Sequence, residues 1–399
     1  MRIAIATGIF HPEQGGPATY LYHLCNALAA RGHMLEVLCF GETGHDIAYP
    51  YRVVRISRRR PIPLRLLHYT LALLPMLRRC EVVYVNDYGL PAAVLTLAIR
   101  RPMVLKVVGD FAWEKAITYG DISPDLNIDD FQSGRHGWRV RLLQAIQRFY
   151  CLRADALITP SHYFKGIIAG WGVPPEKIQV IYNAVDLSRF EGLGDRDQAR
   201  RRLGLDERPL LLTVARLVPW KGVDELIRLL PELRQCVPGL RLVVVGEGPL
   251  RPQLERLAQE LGVREAVRFT GQVDRTLIPS YFRAADAFVL YSGYEGLSHV
   301  LLESMAAGTP AVASAKGGNL ELIDDGVSGR LVPWGSREAL RAALLEVLTQ
   351  PARAAAYAAA ARARIETMRW ETLVEQTEAL LVRHAARSGR PRQAGRLPH

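Results

Sequence analysis

The chain alternates short apolar runs with helical patterns, and it does so twice. "RIAIAT" (2–7) reads as a buried strand, "EQGGPATYLYHLCNALAARGH" as a glycine loop followed by a helix, and "MLEVLCF" (34–40) as a second strand. Leu21, Leu24 and Leu28 share one helical face, Pro17 suits the first turn and Gly32 the stop. Further strand runs follow at 81–85, 103–108, 156–159 and 178–183. Residues 191–209 are polar, charged and glycine-containing, and read as a link with one short helix. The alternation then restarts, with apolar runs at 210–215, 240–246, 266–271, 287–291 and 310–314. Strands alternating with helices imply parallel sheets. The predicted fold is therefore α/β, two Rossmann-like doubly wound domains facing across a cleft, with ligands at the carboxyl ends of the strands.

The 399 residues are enough for two such domains. The chain opens directly on a strand-like run, and no stretch reaches about 18 consecutive apolar residues, so neither a secretory leader nor a transmembrane helix is expected. Five scattered cysteines without a CxxC pair argue against a disulfide framework or structural zinc, and the cytoplasm is the expected compartment. The net charge is +11. Residues 50–80 hold eight arginines and no acid, and the tail from Arg383 holds five more arginines. Such surfaces attract anionic membranes, nucleic acid or phosphorylated ligands, although arginine on ordinary solvated faces would look the same. The tail from 385 to 399, rich in Arg, Gly and Pro, reads as disordered.

One stretch asks for a chemical explanation. "YEGLSHVLLESMAAGTPAVAS" (294–314) carries Glu295 in a loop after a strand and Glu303 among Leu301, Leu302 and Met305. A helix from about Leu297 to Ala307, stopped by Gly308, separates them by roughly 12 Å at helical rise. A helix N-terminus between two acids offers a diphosphate site, with one carboxylate for sugar hydroxyls and the other for a ribose diol. Two salt-bridged acids would give the same spacing. "TVARLVPWKG" places Arg216 and Lys221 after the first strand of the second unit, where two cations could clamp a diphosphate. "VVGEGPL" ends the next strand in a glycine turn at Gly246 and Gly248, and "AKGGNLELI" adds Gly317, Gly318 and Glu321.

In this order, "ARLVPWKG", "VGEGP", "YEGLSHVLLESMAAGTP" and "KGGNLELIDDGVSG" resemble the second domain of the retaining glycosyltransferases of family 4, which have the GT-B fold. The acid pair matches the E-x7-E motif of that family. The first half is also similar, through the loop at Gly15 and Gly16, "ITPSHYFK" and "VIYNAVDLSRF", where Ala184 stands in place of the usual glycine. The resemblance covers about residues 1–380. It implies an acceptor-side domain (1–190), a nucleotide-sugar-binding domain (205–365) and a last helix, about 366–384, crossing back to the first domain. It also implies roles. Arg216 and Lys221 hold the donor diphosphate, and Glu303 holds the ribose. Glu295 with Gly296, Leu297 and Ser298 binds the transferred sugar, and Val273 lies in the base-contacting loop. Gly16 approaches the diphosphate, with Gly15 beside it on the acceptor side, and Gly246 lines the donor site. Many members carry a histidine near the sugar, but this chain reads "LKVVGDFAWEK" there. Asp110 is the nearest polar candidate, either as a catalytic group or as a helix N-cap, with Glu114 one turn on.

No metal or other cofactor is expected beyond the nucleoside diphosphate sugar co-substrate, because the arginine–lysine pair can do the work of a divalent ion. "DRD" at 195–197 spells a DxD but lies in the polar link and reads as solvated. His136 and Trp138 could touch an acceptor, or could belong to a surface loop. "IPLRLLHYTLALLPMLRR" (62–79) suits a basic interfacial helix or an ordinary packed one. The expected activity is retaining, metal-independent transfer of a hexose from a UDP- or GDP-sugar to a glycan or lipid-linked acceptor. The work would be done in the cytoplasm or at the inner face of an anionic membrane, with no nucleic acid partner. The alternatives are an epimerase or phosphorylase of related fold and, more remotely, a non-catalytic basic protein. A dinucleotide oxidoreductase is disfavoured because "ATGIFHPEQGGP" lacks GxGxxG.

Overall fold

The computed structural model describes residues 1–13, 15–42, 47–124 and 126–388. Two parallel sheets organise it. The first contains β1 (Arg2–Thr7), β2 (Met34–Phe40), β3 (Arg52–Ile56), β4 (Val82–Asn86), β5 (Met103–Lys106), β6 (Ala156–Thr159) and β7 (Ile178–Val180). Their order is β3-β2-β1-β4-β5-β6-β7. The second contains β8 (Leu210–Val214), β9 (Arg241–Val245), β10 (Val267–Gly271), β11 (Ala287–Leu290), β12 (Ala311–Ser314) and β13 (Arg330–Val332), in the order β10-β9-β8-β11-β12-β13. The central strands are buried on both faces, which is why they read as unbroken apolar runs rather than as alternation.

Strands β3 and β13 were not singled out in the sequence. Arg52 and Arg55 break the apolar run of β3, and the strand survives because it lies at a sheet edge, where one side of the ladder faces solvent. β13 is only three residues long and is also an edge.

In each sheet the strand order reverses once, between β1 and β4 and between β8 and β11. The loops leaving these four strands carry Gly15, Asp87, Arg216 and Glu295. The last helix, Trp370–Ser388, returns to the first domain. Leu373, Val374, Leu380 and Leu381 are buried there in one apolar cluster with Ile3, Ile5 and Tyr84. Glu378 reinforces the contact by pairing with Arg31 at 2.5 Å and His33 at 2.6 Å. The helix runs four residues into the stretch expected to be disordered; residues 389–399 of that tail lie outside the described residues.

The two domains touch along a polar and aromatic seam. Glu321 of the second domain accepts the N–H groups of His162 and Tyr163 at 2.9 and 2.8 Å, and so caps the first-domain helix His162–Gly170. Trp113 of the first domain packs edge-on against both Trp220 and Tyr294 of the second, with ring centroids 5.3 Å apart in each case.

Candidate active site

A cleft of about 850 Å³ lies between the carboxyl ends of the two sheets. Gly15, Gly16 and Tyr20 line it from the first domain, and Arg189 lines it from the connection. Arg216, Gly246, Val273, His299 and Glu303 line it from the second. Main-chain contacts set its walls. A side chain at Gly246, whose φ is +135°, would put Cβ 2.0 Å from the Ala215 carbonyl oxygen. The turns after β8 and β9 can therefore touch only through glycine, and that contact fixes Arg216. Gly16, by contrast, has open space where a Cβ would go.

The helix His299–Ala307 ends in Gly308 at φ 70°. It starts two residues later than the sequence suggested, because Ser298 is its N-cap and accepts the Leu301 N–H at 3.3 Å. The Ser298 hydroxyl is therefore engaged in the cap. The Leu297 carbonyl accepts the Asn183 amide at 3.0 Å.

Glu295 and Glu303 are both buried, each 9% exposed. Each has a cation, from a different part of the chain. Lys221 reaches Glu295 at 2.5 Å, just outside the lining of the main cleft. Arg189 reaches Glu303 at 3.2 Å, and also donates to the Arg275 carbonyl at 2.9 Å. Burial raises the pKa of Glu303, while Arg189 and Arg275 oppose the rise. Arg189 sits in "VDLSRF", a stretch visible in the sequence without any hint of its partner. The Glu295 loop rests on main chain as well. Cβ atoms at Gly317 and Gly318 would fall 2.0 Å from the Glu295 oxygen and 2.3 Å from the Gly296 oxygen. A Cβ at Gly296 would fall 2.7 Å from the Val108 carbonyl of the first domain, so this glycine lets the Glu295 loop meet the opposite domain.

The first-domain candidates separate. Asp110 takes the capping reading: it accepts the Trp113 N–H at 3.0 Å and the Gln132 amide at 2.8 Å, and is buried away from the main cleft. Its pKa is raised by burial against those hydrogen bonds. By starting this helix, Asp110 orients Trp113 and Glu114 toward the other domain. Glu114 keeps exposed surface near Arg216, and desolvation by the protein around it, helped by Asp87 and Asp110 close by, pushes it up to about 7. His136 stacks on Phe131 with centroids 4.4 Å apart, and its Nε2 lies 2.8 Å from the Phe131 carbonyl. That is a local packing role, away from the cleft. Asp195 of "DRD" forms a reciprocal capping box with Gln198.

Two residues were missed. Asp87, after β4, is the one non-glycine residue with positive φ (63°) among the described residues. Lys106, at the end of β5, is 2% exposed. Its Nζ lies 3.6 Å over the Tyr20 ring and has no hydrogen-bond partner. A lysine inside "MVLKVVG" was a legible signal. Burial lowers Lys106 to about 7 with Asp87 opposing, and burial raises Asp87 to about 6 with Lys106 opposing.

Between about pH 7 and the ordinary lysine range, the folded chain binds fewer protons at Lys106 than the unfolded chain does, so stability rises with pH there. Lys106→Met removes the cost of the buried cation. It is expected to raise the melting temperature most below pH 7, by a few degrees, with the gain shrinking toward pH 10. Melting both proteins at about pH 6 and about pH 9 checks this; an equal gap at the two values would sink the assignment.

Comparison with known proteins matches both halves. A family profile described as "Glycosyltransferase Family 4" covers residues 14–189, and one described as "Glycosyl transferases group 1" covers 195–364. A "GDP-mannose-dependent alpha-(1-6)-phosphatidylinositol monomannoside mannosyltransferase" of Mycobacterium tuberculosis is 29% identical over 93% of this chain and 96% of its own. A "Glycogen synthase" of the same organism is 30% identical over all of this chain and 98% of its own. Among solved structures, the sucrose-phosphate synthase of Thermosynechococcus elongatus superposes with a TM-score of 0.80 at 23% identity, covering 97% of this chain and 99% of that one, a likeness of fold. With its two parallel-sheet domains, the helix that crosses back and the paired glutamates of the second domain, this chain belongs to the family 4 glycosyltransferases and has the GT-B fold.

Proposed function

We propose that the chain is a retaining, metal-independent hexosyltransferase that moves a sugar from a nucleoside diphosphate to a hydroxyl of a glycan or lipid-linked acceptor. The observation that carries this is the pair of buried acids flanking one helix N-terminus, with Arg216 in the wall of the same cleft. The donor diphosphate would lie against the N–H groups at the start of His299–Ala307, neutralised by Arg216 and by Lys221, which Glu295 already orients. Glu303 would take the ribose diol from Arg189. Glu295 with the backbone at Gly296 and Leu297 would take the sugar, and Val273 with Gly246 would border the base. As the anomeric carbon parts from the phosphate, positive charge develops on the sugar and negative charge on the leaving oxygen. The carboxylate and the two cations are placed to meet these charges. The closed seam would limit donor hydrolysis. The epimerase or phosphorylase alternative has no observation in its favour.

A peripheral position on an anionic membrane at the cytoplasmic face fits the helix Ile62–Arg79. It packs Tyr69, Leu73, Met76 and Leu77 inward and leaves Ile62, Leu64, Leu67 and Leu71 each more than half exposed. Arg58, Arg59 and Arg60 are exposed immediately before it. Among the described residues no helix is long and apolar enough to cross a membrane.

Three outcomes are expected. One nucleoside diphosphate among UDP, GDP and ADP should raise the melting temperature by several degrees at saturation, and Glu303→Ala should cut that affinity about tenfold or more; an undiminished shift in the variant removes the ribose role. Chelator should leave turnover within about twofold, whereas loss restored by magnesium would overturn metal independence. The protein should co-sediment with vesicles containing phosphatidylglycerol but not with phosphatidylcholine alone, and Leu67→Glu should weaken the association; equal sedimentation with both would remove the anionic-surface reading.

A further inference from the structure

The seam at the sugar end holds polar groups that the proposed donor site leaves unused, and any role for them in transfer rests on that donor site. β4 and β5 lie side by side, with Asn86 opposite Lys106. Asp87 comes next, its N–H donating to the Lys106 carbonyl at 3.1 Å. Val108, two residues beyond Lys106, turns its carbonyl to Gly296. Asp87 thus stands beside the Glu295–Gly296 loop, at the point where the first sheet reverses its strand order. From the next turn, the Glu114 Oε1 comes within 2.7 Å of the position a Cβ on Gly109 would occupy. The Tyr294 hydroxyl stands 4.0 Å from that same point, and 3.5 Å from the corresponding point on Gly296.

Asp87 and Glu114 keep solvent-accessible surface at the floor of a recess whose walls partly desolvate both carboxylates, and Asp87 also accepts the Asn86 amide at 3.4 Å. Tyr294 is 8% exposed and its hydroxyl has no hydrogen-bond partner; the Lys106 Nζ, at the same strand ends, has none either. A buried hydroxyl left unpaired is costly, and its presence beside the Glu114 carboxylate, which has Asp87 as its own neighbour, calls for a ligand.

We propose that Asp87 and Glu114 form the subsite for the reacting end of the acceptor, and that this end is an uncharged, hydroxyl-rich sugar rather than a phosphate monoester. The two carboxylates accept hydrogen bonds from hydroxyls flanking the nucleophile, and the Tyr294 hydroxyl donates to a sugar oxygen. The acceptor oxygen bonds to the anomeric carbon as the bond from that carbon to the diphosphate breaks. The electron pair leaves with the phosphate, and the acceptor proton passes to that same phosphate oxygen. A phosphate on the adjacent carbon would meet two carboxylates and the donor diphosphate; the nearby cations Arg216 and Lys115 are already shared with the diphosphate and with Glu114, and the Lys106 Nζ is buried over the Tyr20 ring, behind Asp87.

The test uses the full chain with its donor, chosen by the nucleotide that shifts its melting. Acceptors are octyl glycosides of glucose, mannose, galactose and N-acetylglucosamine, set against glucose 6-phosphate and mannose 6-phosphate, and nucleoside diphosphate release above the no-acceptor rate is measured. At least one neutral glycoside should be glycosylated in preference to both phosphates. Asp87→Asn and Glu114→Gln should each lower that transfer about thirtyfold or more, the loss of a hydrogen bond to a charged group. The nucleotide-induced melting shift should be kept in both variants. Asn tolerates the left-handed backbone at 87, so the melting temperature of Asp87→Asn should not fall. Preference for a phosphorylated sugar, no neutral glycoside accepted, or transfer by Asp87→Asn within about threefold of wild type overturns the assignment. Absence of any nucleotide shift in the wild type would instead overturn the donor site beneath it.

Discussion

Glu295 is placed by main chain before it is placed by charge. The turn after β12 presses Gly317 and Gly318 against the carbonyls of Glu295 and Gly296, and the Gly318 N–H donates to the Glu295 carbonyl at 2.9 Å. No residue with a Cβ fits at Gly317, where φ is +56° and the atom would overlap a carbonyl oxygen. The position of this loop sets three others. Lys221 has a carboxylate to meet, Gly296 can approach Val108, and the helix His299–Ala307 starts at a defined point facing the cleft. Losing that main-chain contact would disturb Glu295, the interdomain seam and the helix start together.

Charge is then distributed in pairs drawn from separate segments. Glu295 takes its cation from the turn after β8, and Glu303 takes Arg189 from the connection between domains. A buried acid without such a partner would be costly, and the pairing also fixes the orientation of each carboxylate. The first domain is built differently. Asp87 lies between Lys106 and Glu114 without a close ion pair to either, and desolvation by the surrounding protein moves all three toward neutrality although the two acids keep exposed surface. The second domain presents acids already paired with cations, and the first offers hydrogen-bonding groups of both kinds.

The contacts that couple the domains include the returning helix Trp370–Ser388, the Glu321 cap on His162–Gly170, and the aromatic contact of Trp113 with Trp220 and Tyr294. Asp110 belongs to the aromatic contact. Its carboxylate starts the helix that carries both Trp113 and Glu114, so it serves the site by positioning rather than by contact.

Local pattern alone determined much of this protein. Apolar runs that are buried on both faces can be nothing but interior strands, and their alternation with helices forces two parallel sheets. The motif around Glu295 and Glu303, with Arg216 and Lys221, marked the second-domain half of the candidate site. Edge strand β3 was hidden because edges tolerate arginine, and the start of the helix at His299 shifted because Ser298 was the better cap. What the tertiary structure decided was which groups meet. Asp110 and Glu114 are equally acidic and one turn apart, yet one is closed by the Trp113 N–H and Gln132 while the other is left open near Arg216. Arg189 is separated from Glu303 by more than a hundred residues, and Asp87 and Lys106 come together only because β4 and β5 are neighbours. Sequence spacing encodes the period of a strand or helix, but it carries no information about contacts that close between distant segments. Whether a polar group binds its own backbone, a distant ion or a ligand is decided by those contacts.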